Sequence, residues 1–231
     1  MILSSHQPNF LPYMGFFYKA AKSDAMVISE DVSFSKKGMH NWNRIYTSSG
    51  VKKLTLPVKA HHDSRLADVV VADPAYNIPK IAKTLEQEYR KAPYFGDGME
   101  VVDLMLGMAS ERPLFMSDFN VTLTSYILGR FGICIPLILS TEDLEICGHK
   151  DERIFQMCEQ TGATAYLSGT GAKVYHVDED YAKRGIDLIY SDYRAVRYPQ
   201  VHGDFVENLS VIDYIFNMGF RLPEGWEKHG R

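Results

Sequence analysis

Met1-Ile2-Leu3-Ser4-Ser5, running into His6-Gln7-Pro8-Asn9-Phe10-Leu11-Pro12-Tyr13-Met14-Gly15, is a short apolar run that breaks into a polar loop bounded by prolines. The run reads as a strand. Pro12 suits the first turn of a helix continuing from Tyr13 to Ser23. Ala25-Met26-Val27-Ile28-Ser29 repeats the pattern and opens onto Glu30-Asp31-Val32-Ser33-Phe34-Ser35-Lys36-Lys37. A short strand that is apolar on both sides belongs to a parallel sheet covered by helices. Strand, helix and strand in immediate succession therefore predict an α/β fold. In such sheets ligands sit at the carboxyl ends of the strands, where both of these polar loops begin.

The rest of the chain extends that reading. Asn43 to Ser48 and Val51 to Val58 flank Ser49-Gly50 and predict a hairpin. Leu66 to Ala72 is another strand-like run. From Asn77 to Phe131 the apolar spacing turns helical: Ile81, Leu85 and Tyr89 share one face, and Val101, Leu104, Met105 and Met108 share the next. A third helix is expected over Met116 to Phe131. Strands then return at Ile135 to Leu139, Ala163 to Leu167 and Ile186 to Tyr190. A helix from Lys150 to Gln160, stopped by Gly162, separates the first two. Leu209 to Asn217 forms a terminal amphipathic helix that stops at Gly219. The expected architecture is a Rossmann-like, mostly parallel sheet of five or six strands with an inserted helical block. It would form one α/β domain over residues 1–222, with the block at 76–131 and a frayed C-terminal tail at 223–231.

Composition narrows the function classes. The chain has 231 residues, 45% of them hydrophobic and 23% charged, as expected of a globular protein with a sizeable core. Its net charge of −4 argues against a protein built to grip nucleic acid through phosphates. No apolar stretch is long enough for a membrane span, and the N-terminus lacks the pattern of a signal peptide, so a cytoplasmic location is expected. Cys134, Cys147 and Cys158 show no CxxC spacing and read as reduced, mostly buried thiols.

The candidate site residues lie in three stretches. His6 stands at the end of the first strand with Gln7 and Asn9, and among these residues it is the group suited to accept a proton near neutral pH. Asp31, at the end of the second strand, is placed to bind ribose hydroxyls or a metal, though no metal set is assigned. Lys36 and Arg44 could hold the anionic part of a ligand, while Asn41 and Asn43 supply neutral recognition groups beside Trp42. Ser168-Gly169-Thr170-Gly171 with Lys173 could cradle a phosphate, although it lacks a Walker A pattern. Asp151 and Arg153 read as a helix cap or as a pair with each other. His61-His62-Asp63 reads as surface. There is no Gly-x-Ser-x-Gly elbow, no His-Glu-x-x-His helix and no signalled cysteine nucleophile.

The same residues carry a family resemblance. The first loop through Lys19, then Asp31-Val32-Ser33-Phe34-Ser35-Lys36 and Asn41-Trp42-Asn43-Arg44-Ile45, resemble the WbqC-like family of bacterial proteins. So do Asp151-Glu152-Arg153-Ile154, Gly162 to Gly169, Tyr198-Pro199-Gln200 and Leu209 to Asp213. The resemblance implies a role in surface-polysaccharide (O-antigen) biosynthesis, with transfer of glycine to an amino sugar as the suggested activity. The ligand would be a nucleotide-sugar or an activated amino acid. Amide formation needs an activated carboxyl group, supplied either by ATP through an acyl-adenylate or by a preformed acyl donor, and the sequence leaves both open. A noncatalytic nucleotide- or sugar-binding scaffold of the same pathway is the alternative.

Overall fold

In the computed structural model, which describes residues 1–226, the strands become a five-stranded sheet in which every neighbouring pair is parallel. The elements, in chain order, begin with β1 (Ile2–His6), α1 (Met14–Ala21), β2 (Ala25–Ile28), β3 (Trp42–Thr47), β4 (Gly50–Thr55), β5 (Val58–Lys59) and β6 (Val70–Val71). They continue with α2 (Pro74–Tyr89), α3 (Phe95–Gly107), α4 (Met116–Arg130), β7 (Leu137–Leu139), α5 (Asp151–Thr161), β8 (Ala165–Ser168), α6 (Asp178–Lys183), β9 (Asp187–Tyr190) and α7 (Val211–Met218). The sheet order is β7-β2-β1-β8-β9. Counting only the sheet's own strands along the chain, this is the 3-2-1-4-5 order of a doubly wound α/β fold. The chain moves outward from β1 to β7, then returns to place β8 on the other side of β1.

Period-two alternation sorts the sheet residues between two cores. Leu3, Ala25, Val27 and Tyr166 face Phe155, Met157 and Cys158 of α5 and Tyr181 of α6. Met26 and Ile28 face the larger core, built from α1, the α2–α4 block and α7. Helices thus cover both faces, as the doubly apolar strands require. Gly162 ends α5 in the left-handed conformation, with φ +69°, a role for which glycine is suited.

The helical block forms as read from its spacing, but α2 begins at Pro74 rather than at Asn77. Proline at the first helical position lacks only an N–H that would have no partner there. The run Leu66 to Ala72 is not a strand of the main sheet. It holds a short 3-10 turn followed by β6, which pairs antiparallel with β5 and, through Val70, bridges Phe115. The expected frayed tail does not hold at Trp226, which is buried and packs against Tyr18 and Tyr193. Residues 227–231 of that expected tail lie outside the described residues. The cysteines also differ from the reading: Cys134 and Cys147 are exposed, and only Cys158 is buried. Among the described residues no helix is long and apolar enough to cross a membrane.

Candidate functional site at the sheet switch point

The strand order reverses direction between β1 and β8, and the crevice outside their carboxyl ends is where a doubly wound sheet accommodates a ligand. Ser5 and His6 close β1, and Ser168 closes β8. Alternation along the strands puts Ser5, Tyr166 and Ser168 on the α5 face and His6 on the α1 face. The Tyr166 and Ser5 hydroxyls lie 2.7 Å apart across the two strands. Lys19 of α1 is buried and donates to the Ser5 carbonyl at 2.6 Å. No carboxylate pairs with it among the described residues, and burial pushes its pKa down to about 8. Nothing in the sequence pattern distinguished this lysine from one on a solvated helix face.

Ser168 begins a chain of three polar side chains. Its Oγ is 2.8 Å from Nε2 of His176, and Nδ1 of His176 is 2.6 Å from Oδ1 of Asp151. The imidazole is 6% exposed and the carboxylate 20%, so solvent competes weakly for these bonds. Asp151 lies in the first turn of α5, and it neither pairs with Arg153 nor caps the helix through its side chain. Arg153 instead reaches the end of β2, placing NH1 2.7 Å from Oδ2 of Asp31 and NH2 2.8 Å from Oδ1. The Ser140 hydroxyl adds a bond at 2.5 Å. Burial alone would raise the pKa of Asp31, but the Arg153 and Ser140 hydrogen bonds and the guanidinium charge outweigh it and hold the carboxyl low. Both oxygens expected to meet ribose or metal are thus engaged within the protein. Glu30 beside it is buried and accepts the hydroxyls of Ser117 and Thr141.

The first-loop candidates are placed differently. Asn43 is buried, and its amide donates to the carbonyls of Leu11 at 2.7 Å and Phe10 at 3.3 Å. Its Oδ1 receives the Arg44 backbone N–H at 2.8 Å. The Arg44 guanidinium donates to the carbonyls of Asn208, at 3.2 Å, and Glu207. Asn41 donates to the Leu56 carbonyl. Asn120, not among the candidate site residues, donates to the carbonyls of Pro8 and His40. Asn43 and Asn120 thus fasten the first-loop backbone, Asn41 holds the segment after β4, and Arg44 ties the hairpin to the segment before α7. Asn9 keeps a buried Oδ1 without a partner among the described residues, as does Asn120, and Gln7 is exposed.

His6 packs edge-on against Phe16, and its Nδ1 lies 2.9 Å from the Gln7 carbonyl. Burial, followed by the neighbouring Lys19 charge, pushes its pKa down to about 3. It is therefore a weak proton acceptor at neutral pH, the opposite of the role expected from its position. Lys36 is exposed. Lys173 is also exposed and lies over the Tyr190 ring. A Cβ added at Gly169 or Gly171 would meet no atom within 4 Å, while Ser168 before them is buried and its hydroxyl also donates to the Gly169 carbonyl at 3.3 Å. Trp42 is half-buried beneath the Lys53 ammonium, and His61-His62-Asp63 forms an exposed loop.

The candidate residues that sequence reasoning missed are His176 and Lys19, together with the part Asp151 takes in the hydrogen-bonded chain. His176 lies beyond the glycine-rich turn in a stretch with no flanking motif, and only the fold brings it to a strand end and a helix start.

Comparison with known proteins agrees across almost the whole chain. The model of the WbqC-like protein family matches residues 7–223. The chain is 30% identical over 222 residues to the uncharacterized protein Rv1507c of Mycobacterium tuberculosis, covering 94% of each. No solved structure matches it significantly. With a match running from the first loop to beyond α7, the chain belongs to the WbqC-like protein family.

Proposed function

We propose that this chain transfers an acyl group, glycine or a close relative, from an activated donor to the amino group of an amino sugar during surface-polysaccharide (O-antigen) assembly. The observation that carries the reading is Lys19, a buried amine at the switch point with no counter-charge among the described residues. The fall in its pKa from 10.5 to about 8 corresponds to about 3 kcal/mol of bias against the ammonium. A protein that keeps such a group where ligands dock gains from it when an anion arrives, because ligand charge and shared burial then restore the ammonium. Both substrates carry anionic handles: an acyl-adenylate donor brings a phosphate, and a nucleoside-diphosphate-linked amino sugar brings two. The hydroxyls of Ser5 and Tyr166 add neutral partners on the same strand ends.

The test is calorimetry with a nonhydrolysable glycyl-adenylate analogue and with nucleotide-linked amino sugars, followed by a search for the amide product by mass spectrometry. Binding of a donor and an acceptor, with product formed from the two, supports the reading; binding of neither overturns it. A noncatalytic binding role in the same pathway is favoured by one observation, the low basicity of His6. It predicts ligand binding without product.

A further inference from the structure

The Ser168–His176–Asp151 chain has the connectivity of a nucleophile, a general base and an orienting carboxylate. The three groups come from separate elements: the last residue of β8, the segment before α6 and the first turn of α5. In the tautomer whose Nδ1–H donates to Asp151, 2.6 Å away, the ring lone pair falls on Nε2, and that is the atom 2.8 Å from the Ser168 Oγ. The Tyr181 hydroxyl lies 3.0 Å from the same Nδ1. Burial, then the Asp151 charge, raises its pKa, so the phenol keeps its proton and leaves the carboxylate as the base-side partner. Asp151 is itself held in place, because Arg153 two residues along is forked onto Asp31.

A chain that served only to tie down the segment carrying His176 would have no need to end at the switch point. This one ends there, at a buried hydroxyl immediately before Gly169 and Gly171, whose Cβ positions are open. The sequence has no strained elbow motif around Ser168, so the arrangement is recognisable by geometry and roles alone.

We propose that Ser168 is a catalytic nucleophile that carries the acyl group as a covalent ester between donor and acceptor, with His176 as general base and Asp151 as its positioning residue. This rests on the acyl-transfer reading above. In the first half-reaction the Ser168 Oγ bonds to the carbonyl carbon of an activated ester, thioester or phosphoric-carboxylic anhydride, and its proton passes to Nε2. The bond from that carbon to the leaving group breaks, and the leaving group departs with its electron pair; the proton on His176 passes to the leaving group or, where that stays anionic, to solvent, so that Nε2 is free again. In the second half-reaction the acceptor amine attacks the ester carbonyl and gives a proton to His176. The carbon–Oγ bond breaks, His176 returns the proton to Oγ, and an amide is released. No oxidant, reductant or metal enters the balance.

The test uses the full chain and the p-nitrophenyl ester of N-acetylglycine, read by nitrophenolate release and by intact mass, with the modified residue located by peptide mapping. One acyl group on Ser168 is expected. Ser168→Ala should abolish it, Ser168→Cys should restore labelling at the same position, and His176→Gln should slow it at least about a hundredfold. Asp151→Asn should slow acylation and also displace its pH profile, which a purely structural carboxylate would leave unmoved. Acyl transfer onto Cys134, Cys147 or a lysine with none on Ser168 overturns the proposal, as does wild-type labelling in His176→Gln. The two readings separate cleanly. Ser168 acylation without amide formed on any amino sugar supports the nucleophile and removes the proposed acceptor; amide formation that survives in Ser168→Ala keeps the transferase and removes the covalent step.

Discussion

Two polar clusters border the same sheet edge, and they use their hydrogen-bonding groups in opposite ways. In the first-loop cluster, Asn41, Asn43 and Asn120 direct their amides at backbone carbonyls, Arg44 does the same with its guanidinium, and His6 is held neutral. On the β8–α5 side, Ser168, His176 and Asp151 bond to one another in series, starting from a hydroxyl on the last residue of β8. Richness in polar residues is common to both. A loop with two prolines and a left-handed Leu11, at φ 42°, has backbone groups that no helix or strand satisfies, and buried side-chain amides satisfy them. Direction, not density, separates scaffolding from chemistry.

The largest effect that sharpens this contrast is expected at Lys19, which stands between the two clusters. Lys19→Met should weaken binding of the anionic donor by roughly a hundredfold while raising the stability of the free protein by about 2 kcal/mol, since a buried unpaired charge is replaced by an apolar chain. The pH dependence follows with its sign. The folded-state pKa lies below the unfolded one, so the unfolded chain holds the extra proton between them. Stability of the wild-type protein should rise as pH goes from about 8 to about 10, and Lys19→Met should lose that rise. Urea titrations across the range check it; a flat wild-type curve would mean that the amine is already solvated.

Next in size is Asn43→Ala, which removes two donors to the Phe10 and Leu11 carbonyls and the acceptor for Arg44 N–H. A loss of about 3 kcal/mol is expected, with Ser168 acylation per folded molecule unchanged. A stable variant with impaired acylation would move Asn43 from the scaffold into the site.

Arg153→Met probes the clamp that positions α5, and about 1–2 kcal/mol should be lost at neutral pH because Asp31 is left half-buried and unpaired. The folded pKa of Asp31 is depressed, so its contribution is complete above about pH 4 and disappears as pH falls through the folded value. The variant should therefore lose less stability than the wild type on acidification, as denaturant midpoints at both ends will show.

The smallest effect is expected at Gly169→Ala. The residue has φ −71° and open space where a Cβ would go, so stability should stay within about 0.5 kcal/mol. A marked loss of donor affinity in a variant this mild would revive the phosphate-cradle reading of the turn.

Much of the fold was legible in the residues themselves. Ala25 to Ile28 could be only a buried parallel strand, the spacing of Ile81, Leu85 and Tyr89 produced α2, and Gly162 ended α5 as expected. Leu66 to Ala72 misled because β-branched runs report burial and not sheet membership; the chain turns there and pairs with Val58–Lys59 and Phe115, outside the main sheet. The site was legible by place and not by member. Ser168 was singled out, as a binding residue, from its position at a strand end. Its partners at 151 and 176 were not, since neither helix starts nor loops mark a side chain that will converge on another element. Lys19 was hidden for a related reason, because burial of a lysine depends on tertiary packing that local spacing does not encode.

The central claim, that chemistry belongs to the β8–α5 side and the first loop is its scaffold, reduces to a contest between two histidines. The deciding measurement is the rate of acylation of Ser168 by the p-nitrophenyl ester of N-acetylglycine in His6→Gln and His176→Gln, compared side by side at neutral pH. The account predicts that His6→Gln stays within about threefold of wild type and that His176→Gln falls by about a hundredfold or more. A collapse in His6→Gln with His176→Gln left near wild type would contradict it.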